Sequence, residues 1–117
     1  MRHGVRNILE TQDDWEVVGE ASNGEEAIEL NQELKPDAIV MDITMPIMNG
    51  LRATRNIMKS NPNCRVLILT VLEDPSLSRP IQLSGARGLV SKTNAMDELT
   101  PALKAILAGN TYFPHEN

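Results

Sequence analysis

The sequence predicts an α/β domain, a doubly wound parallel sheet with helices on both faces and right-handed crossovers. Strand and helix patterns alternate along the chain, and two of the strand segments, D-A-I-V-M-D at 37–42 and R-V-L-I-L-T at 65–70, are almost continuously apolar. Strands of that kind belong in the middle of a parallel sheet, buried on both faces. With 117 residues, 41% of them hydrophobic, the chain holds apolar material for one core and has the usual length of one domain.

Val5, Ile8 and Leu9 recur at helical spacing and open the chain on an amphipathic helix that T-Q-D-D interrupts. W-E-V-V-G-E-A follows, and its Trp15, Val17, Val18 and Ala21 indicate a strand. Ser22 and Glu25 fit the capping-box pattern ahead of an apolar stripe of Ala27, Leu30 and Leu34, so a helix is expected up to the break at Lys35-Pro36. The strand ending at Asp42 comes next. Leu51 to Lys59 reads as a third helix, with Arg52, Arg55 and Lys59 on its solvated face and N-P-N at its end; the strand ending at Thr70 follows. E-D-P-S-L-S-R-P-I-Q-L-S-G supports only a weak helix that Pro80 starts late or breaks. G-L-V-S-K is a short strand ending at Lys92. Asn94 is placed to cap a last helix carrying Leu99, Leu103, Ile106 and Leu107, closed by Gly109, in which Pro101 must fall in the first turns. T-Y-F-P-H-E-N looks like the start of a tail, which gives one domain over 1–113 and the start of a linker or tail at 114–117.

Composition removes several classes of function. A net charge of −5 and a pI near 4.9, with no cluster of Lys and Arg, argue against gripping nucleic acid through its phosphates. The lone cysteine, Cys64, allows neither an internal disulfide nor a zinc ligand set, and His3 and His115 lie at opposite ends of the chain. The apolar runs are too short to cross a bilayer and the N-terminus has no signal-peptide core, so a soluble cytoplasmic protein is expected.

In doubly wound sheets the chemistry gathers at the carboxyl ends of the strands. Asp42, Thr70 and Lys92 stand at three such ends, a carboxylate, a hydroxyl and an ammonium. Taken singly, each has an ordinary use: Asp42 as a cap for the loop that follows, Thr70 as a strand-end hydroxyl bonded to backbone, Lys92 as a surface lysine. Together they can do more. A carboxylate can attack phosphorus to give an acyl phosphate, whose added charge and acceptor oxygens an ammonium and a hydroxyl are suited to hold. A hard cation such as Mg2+ would help an anionic carboxylate meet an anionic donor. Met41, Met45 and Met48 are most simply core and loop filler, and Glu73 and Asp74 the start of a helix.

Asp42 with Pro46 and Gly50 in M-D-I-T-M-P-I-M-N-G, then Thr70 in L-I-L-T, then Lys92 in G-L-V-S-K, resemble the response-regulator receiver domain of two-component systems. This CheY-like, flavodoxin-like module would cover nearly the whole chain. The resemblance implies that Asp42 accepts phosphate from a sensor histidine kinase, that Thr70 and Lys92 bind the phosphoryl group, and that Asp42 and the backbone carbonyl of Thr44 ligate Mg2+. The tail G-N-T-Y-F resembles that of transcriptional regulators whose receiver precedes a LuxR-type helix-turn-helix. It implies a homodimer that meets DNA only through an output domain outside this chain. Its chemistry would be self-modification, not enzymatic turnover.

The sequence departs from the family pattern at its start. It opens inside the first helix, so the preceding strand and its acidic pair are missing, and Asp13-Asp14 would sit at the opposite edge of the sheet. Weak Mg2+ binding and impaired phosphorylation are expected, with the gap in the sheet closed by direct strand pairing or by exchange between subunits. Leu89 stands where many receivers carry a switching aromatic residue. A pseudo-receiver acting only as a dimerisation module is therefore an alternative. A small phosphatase with Asp42 as nucleophile is another, though it usually needs a second acid where this chain has Thr44.

Overall fold

The computed structural model describes residues 9–12, 15–16, 19, 23–42, 50–70 and 78–113, with Asp42, Gly50 and Ser78 described through their backbone alone. The elements run α1 (Gly24–Leu34), β1 (Ala38–Asp42), α2 (Gly50–Ser60), β2 (Arg65–Thr70), α3 (Ser78–Leu83), β3 (Gly88–Ser91), a 3-10 turn (Lys92–Asn94) and α4 (Ala95–Leu107). The strand over Trp15–Ala21 and the opening helix, of which Leu9 and Glu10 are seen as helical, lie mostly outside the described residues, as do Asp13-Asp14 and the loop with Thr44 and Pro46.

The strands pair in parallel in the order β1-β2-β3. Met41 lies beside Ile68 and Ile68 beside Leu89, while Val40 lies beside Leu67 and Leu69 beside Val90. Because successive strand side chains alternate between faces, a parallel register sorts the apolar residues into two layers. Ile39, Met41, Val66, Ile68 and Leu89 pack with Ala27 of α1, Ala53 and Ile57 of α2 and Ile81 of α3. Ala38, Val40, Leu67, Leu69 and Val90 pack with Leu99, Leu103 and Ile106 of α4, joined by Leu9 and Trp15. Helices cover both faces, as the doubly wound prediction requires. Burying side chains such as Leu99 and Ile106, both 0% exposed, contributes roughly 1.5–3 kcal/mol each.

β2 matches its expectation in bounds and in burial, with Val66 to Thr70 all buried. β1 does so only in part: Met41 is buried, but Ala38, Ile39 and Val40 are half-buried. Among the described residues β1 is the end strand, with β2 as its one neighbour. No strand beyond β1 is described, so the expected closing of a gap there falls outside these residues.

Two local expectations are corrected. The cap of α1 is Asn23, not Ser22: its side chain accepts from the Glu26 N–H at 3.0 Å. Asn23 and Glu26 have the same spacing as Ser22 and Glu25, and glycine at the first helical position leaves the turn free to begin one residue later. Asn94 makes no side-chain cap for α4. Instead Ser91 caps the 3-10 turn, accepting from the Thr93 N–H at 3.4 Å. α4 starts at Ala95, as a cap at position 94 requires, and Pro101 falls inside it as its seventh residue, in the second turn. Proline brings no N–H to the Asp97 carbonyl; both residues are exposed, so water can serve there.

Other ends match. Pro80 is the third residue of the six-residue α3, a helix started late. Arg52, Arg55 and Lys59 are exposed on α2. Gly109, at φ 94°, closes α4 in a Schellman turn, with Gly109 N–H donating to Ile106 and Asn110 N–H to Ala105. The first residues of the expected tail are part of the fold: Tyr112 bridges Gly88 in parallel and Phe113 is buried in the core.

Candidate functional site

The carboxyl edge of the sheet is built by register. Asp42 ends β1 opposite Leu69, so Thr70 stands one residue further along β2. Thr70 in turn lies opposite Ser91, and Lys92 is the next residue. With strands about 4.8 Å apart and a rise of about 3.3 Å per residue, the Cα atoms of Asp42 and Thr70 are roughly 6 Å apart. Each residue is thus stepped one place beyond its neighbour on the same edge. Lys92 begins the 3-10 turn and does not end β3 as expected.

Thr70 is 1% exposed and shares the alternation of Val66 and Ile68, which places it on the face of α2 and α3. Among the described residues no buried side-chain polar atom lacks a partner, so the Thr70 hydroxyl is held in place. Lys92 is half-buried. It is flanked by two hydroxyls absent from the sequence-based site, since Ser91 Oγ and Thr93 Oγ1 lie 2.6 Å apart. The S-K-T triplet is visible in the sequence, but only the capped turn gives it meaning. α2 begins after the loop that follows Asp42, with no acidic residue in its own first turn, so its positive end is turned to this edge. Hydroxyl, ammonium and helix end all favour an anion here.

Thr44, Pro46, Glu73 and Asp74 lie outside the described residues, and so do Met45 and Met48; Met41 is core, 1% exposed. No group of three His, Cys, Asp or Glu side chains among the described residues could hold a metal ion. Of the expected Mg2+ ligands, the Thr44 carbonyl lies outside the described residues and Asp42 is described through its backbone alone. Leu89, at the position of the expected aromatic switch, is 6% exposed and packed in the core.

The opposite edge differs. An open cleft of about 190 Å³ is lined by Lys35, Asp37, Asn61, Asn63, Cys64 and Arg65, with Pro36. Cys64 is 1% exposed. Burial pushes its thiol up to about 11, against the lowering charge of Arg65 and with a small addition from Asp37. It is no thiolate nucleophile at neutral pH.

Helices on both faces of a parallel sheet, with an anion-favouring carboxyl edge, define a flavodoxin-like α/β domain. The family model for the response regulator receiver domain matches residues 1–104. The chain belongs to that family. It is 35% identical over 112 residues to the response regulator GacA of Pseudomonas aeruginosa, covering 96% of this chain and 52% of that protein. It is 38% identical over 111 residues to the transcriptional regulatory protein DegU of Brevibacillus brevis, covering 95% and 47%. The chain therefore spans about half the length of these curated relatives. A solved two-component response regulator of the LuxR family from Aurantimonas sp. SI85-9A1 superposes with a TM-score of 0.91 at 37% identity, covering 95% of this chain and 79% of that one.

Proposed function

We infer that Asp42 is the phosphoacceptor of this receiver domain, taking its phosphoryl group from a sensor histidine kinase. Thr70 and Lys92 hold the phosphoryl oxygens, the hydroxyl by a hydrogen bond and the ammonium by charge. The observation that carries this is the register, which steps Asp42, Thr70 and Lys92 along one sheet edge. The receiver family in general binds Mg2+ at an acidic pocket; here Asp42 and the carbonyl of Thr44 would contribute to it. The chemistry is self-modification, not turnover. By likeness to GacA and DegU, the whole protein acts in transcription through a DNA-binding output domain of LuxR type, as a cytoplasmic homodimer. Among the described residues no helix is long and apolar enough to cross a membrane. The domain proper is 1–113, with linker or tail from 114.

Intact mass after incubation with acetyl phosphate and Mg2+ tests the assignment. A gain of one phosphoryl group in this chain, abolished in Asp42→Asn, is expected. Uptake that persists in Asp42→Asn overturns it, and steady release of inorganic phosphate would point to a phosphatase.

A further inference from the structure

Lys92 sits in the corner where β3 passes through the 3-10 turn into α4. The chain returns from α4 and links the two arms that meet at that corner, on β3 at its first residue, Gly88, and on α4 at Glu98. On the β3 side, Tyr112 N–H donates to Arg87 O at 2.9 Å and Leu89 N–H donates to Tyr112 O at 2.8 Å, a parallel bridge opposite Gly88. On the α4 side, the Tyr112 hydroxyl donates to Glu98 Oε1 at 3.0 Å. The attachment straddles the sheet, because Tyr112 packs with the α4 layer and Phe113, 8% exposed, with the α2 and α3 layer. Gly88 makes the close approach possible, since a Cβ there would stand 3.2 Å from Tyr112 O and 2.6 Å from Leu67 Cδ1. Burial of the Tyr112 ring, then the Glu98 bond and charge, raise its hydroxyl pKa, so it stays a donor at neutral pH.

We propose that Tyr112 is a positioning residue for Lys92: it braces β3 through its backbone and α4 through Glu98, and so fixes the angle at the junction that presents the ammonium. The proposal rests on the phosphoryl-holding role given to Lys92 above. A brace across two elements that meet at Lys92 must be felt there, and coupling of this kind is reciprocal. A phosphoryl group that draws Lys92 toward Asp42 strains the brace, and a lost brace lets Lys92 wander. The same residue lies where the chain leaves the domain, so the state of the site is carried to whatever follows residue 113.

The test uses the 117-residue chain, amide NMR, and beryllium fluoride with Mg2+ as the phosphoryl stand-in. Variants are Tyr112→Phe, Glu98→Ala, their double, and Glu98→Gln, which keeps an acceptor for the hydroxyl. Without ligand, Tyr112→Phe and Glu98→Ala should shift the Lys92 and Thr93 amides in the same direction, while Glu98→Gln stays near the parent. With ligand, each single variant should raise the half-saturating fluoride complex by about fivefold, the double no further, at an unchanged unfolding midpoint for Tyr112→Phe. Unmoved Lys92 and Thr93 amides in Tyr112→Phe, or additive single effects, overturn the proposal. If the parent gives the same spectrum with and without beryllium fluoride, the phosphoryl-holding reading fails on its own, and the ligand-free shifts still decide whether Tyr112 positions Lys92.

Discussion

Thr70 stands directly across from Ser91 in the parallel register of β2 and β3, so Thr70 and Lys92, the residue after Ser91, lie at one edge of the sheet. The two contribute differently. Thr70 is 1% exposed and its hydroxyl is partnered. Thr70→Val should therefore cost about 1–3 kcal/mol by leaving that partner unsatisfied and should also slow phosphoryl uptake. Urea unfolding and intact mass measure the two losses, and Thr70→Ser should restore most of both.

Lys92 is half-buried in a capped turn, so its loss should affect chemistry more than stability. Lys92→Ala should lower the rate of acetyl phosphate uptake by roughly 10-fold to 100-fold, the worth of a charge-assisted hydrogen bond. Lys92→Arg should recover only part, because a planar guanidinium does not place charge as a compact ammonium does. Time courses of intact mass give the rates. An Ala variant that matches the parent would remove Lys92 from the site.

Asn23, not Ser22, holds the first turn of α1 through the Glu26 N–H. Asn23→Ala should destabilise the domain by about 1 kcal/mol, Asn23→Asp by little, and Ser22→Ala by less than Asn23→Ala. Thermal or urea unfolding of the three variants ranks them, and the reverse order would restore the cap to Ser22.

Gly88 is the contact point of the returning chain. In Gly88→Ala the new methyl meets Leu67 Cδ1 and the Tyr112 carbonyl, and Leu67 is 0% exposed with nowhere to turn. A loss of roughly 1–3 kcal/mol is expected, with faster amide exchange at Leu89, whose N–H donates to Tyr112 O. Hydrogen exchange followed residue by residue checks it.

The thiol of Cys64 gives a pH dependence with a definite sign. Its pKa rises from 9.0 to about 11 on folding, so the native state binds the proton more tightly. That stabilisation is fully present below about pH 9 and is lost as pH climbs through about 11. Over that window the parent should lose roughly 2 kcal/mol more than Cys64→Ala. Urea titrations at steps of pH compare the slopes, and Tyr112, present in both proteins, cancels.

Where the sequence was explicit, the structure follows it closely. R-V-L-I-L-T is β2 to the residue because a strand buried on both faces leaves no polar alternation to blur its ends. α2 agrees because Ala53 and Ile57 face the core while Arg52, Arg55 and Lys59 face water. The failures are of another kind. Two overlapping capping boxes, Ser22 with Glu25 and Asn23 with Glu26, cannot be ranked by spacing. A 3-10 turn has no periodic signature of its own, so β3 ends one residue early, at Ser91, and the capping hydroxyl is that of Ser91 and not the Asn94 side chain. At the site, the strand ends of Asp42 and Thr70 were legible from hydropathy. The hydroxyls beside Lys92 and the brace from Tyr112 were not, since they depend on contacts between segments distant in sequence, and T-Y-F carries little local pattern.

Cys64 is the one cysteine of this 117-residue chain and is buried by its neighbours at 1% exposure. A maleimide or disulfide reagent can reach it only in molecules whose lower sheet edge has come apart, so the labelling rate under native conditions is a built-in clock for that opening. Run beside any of the variants above, the clock separates a change confined to the anion-binding edge from one that loosens the whole domain, with no probe to be engineered in.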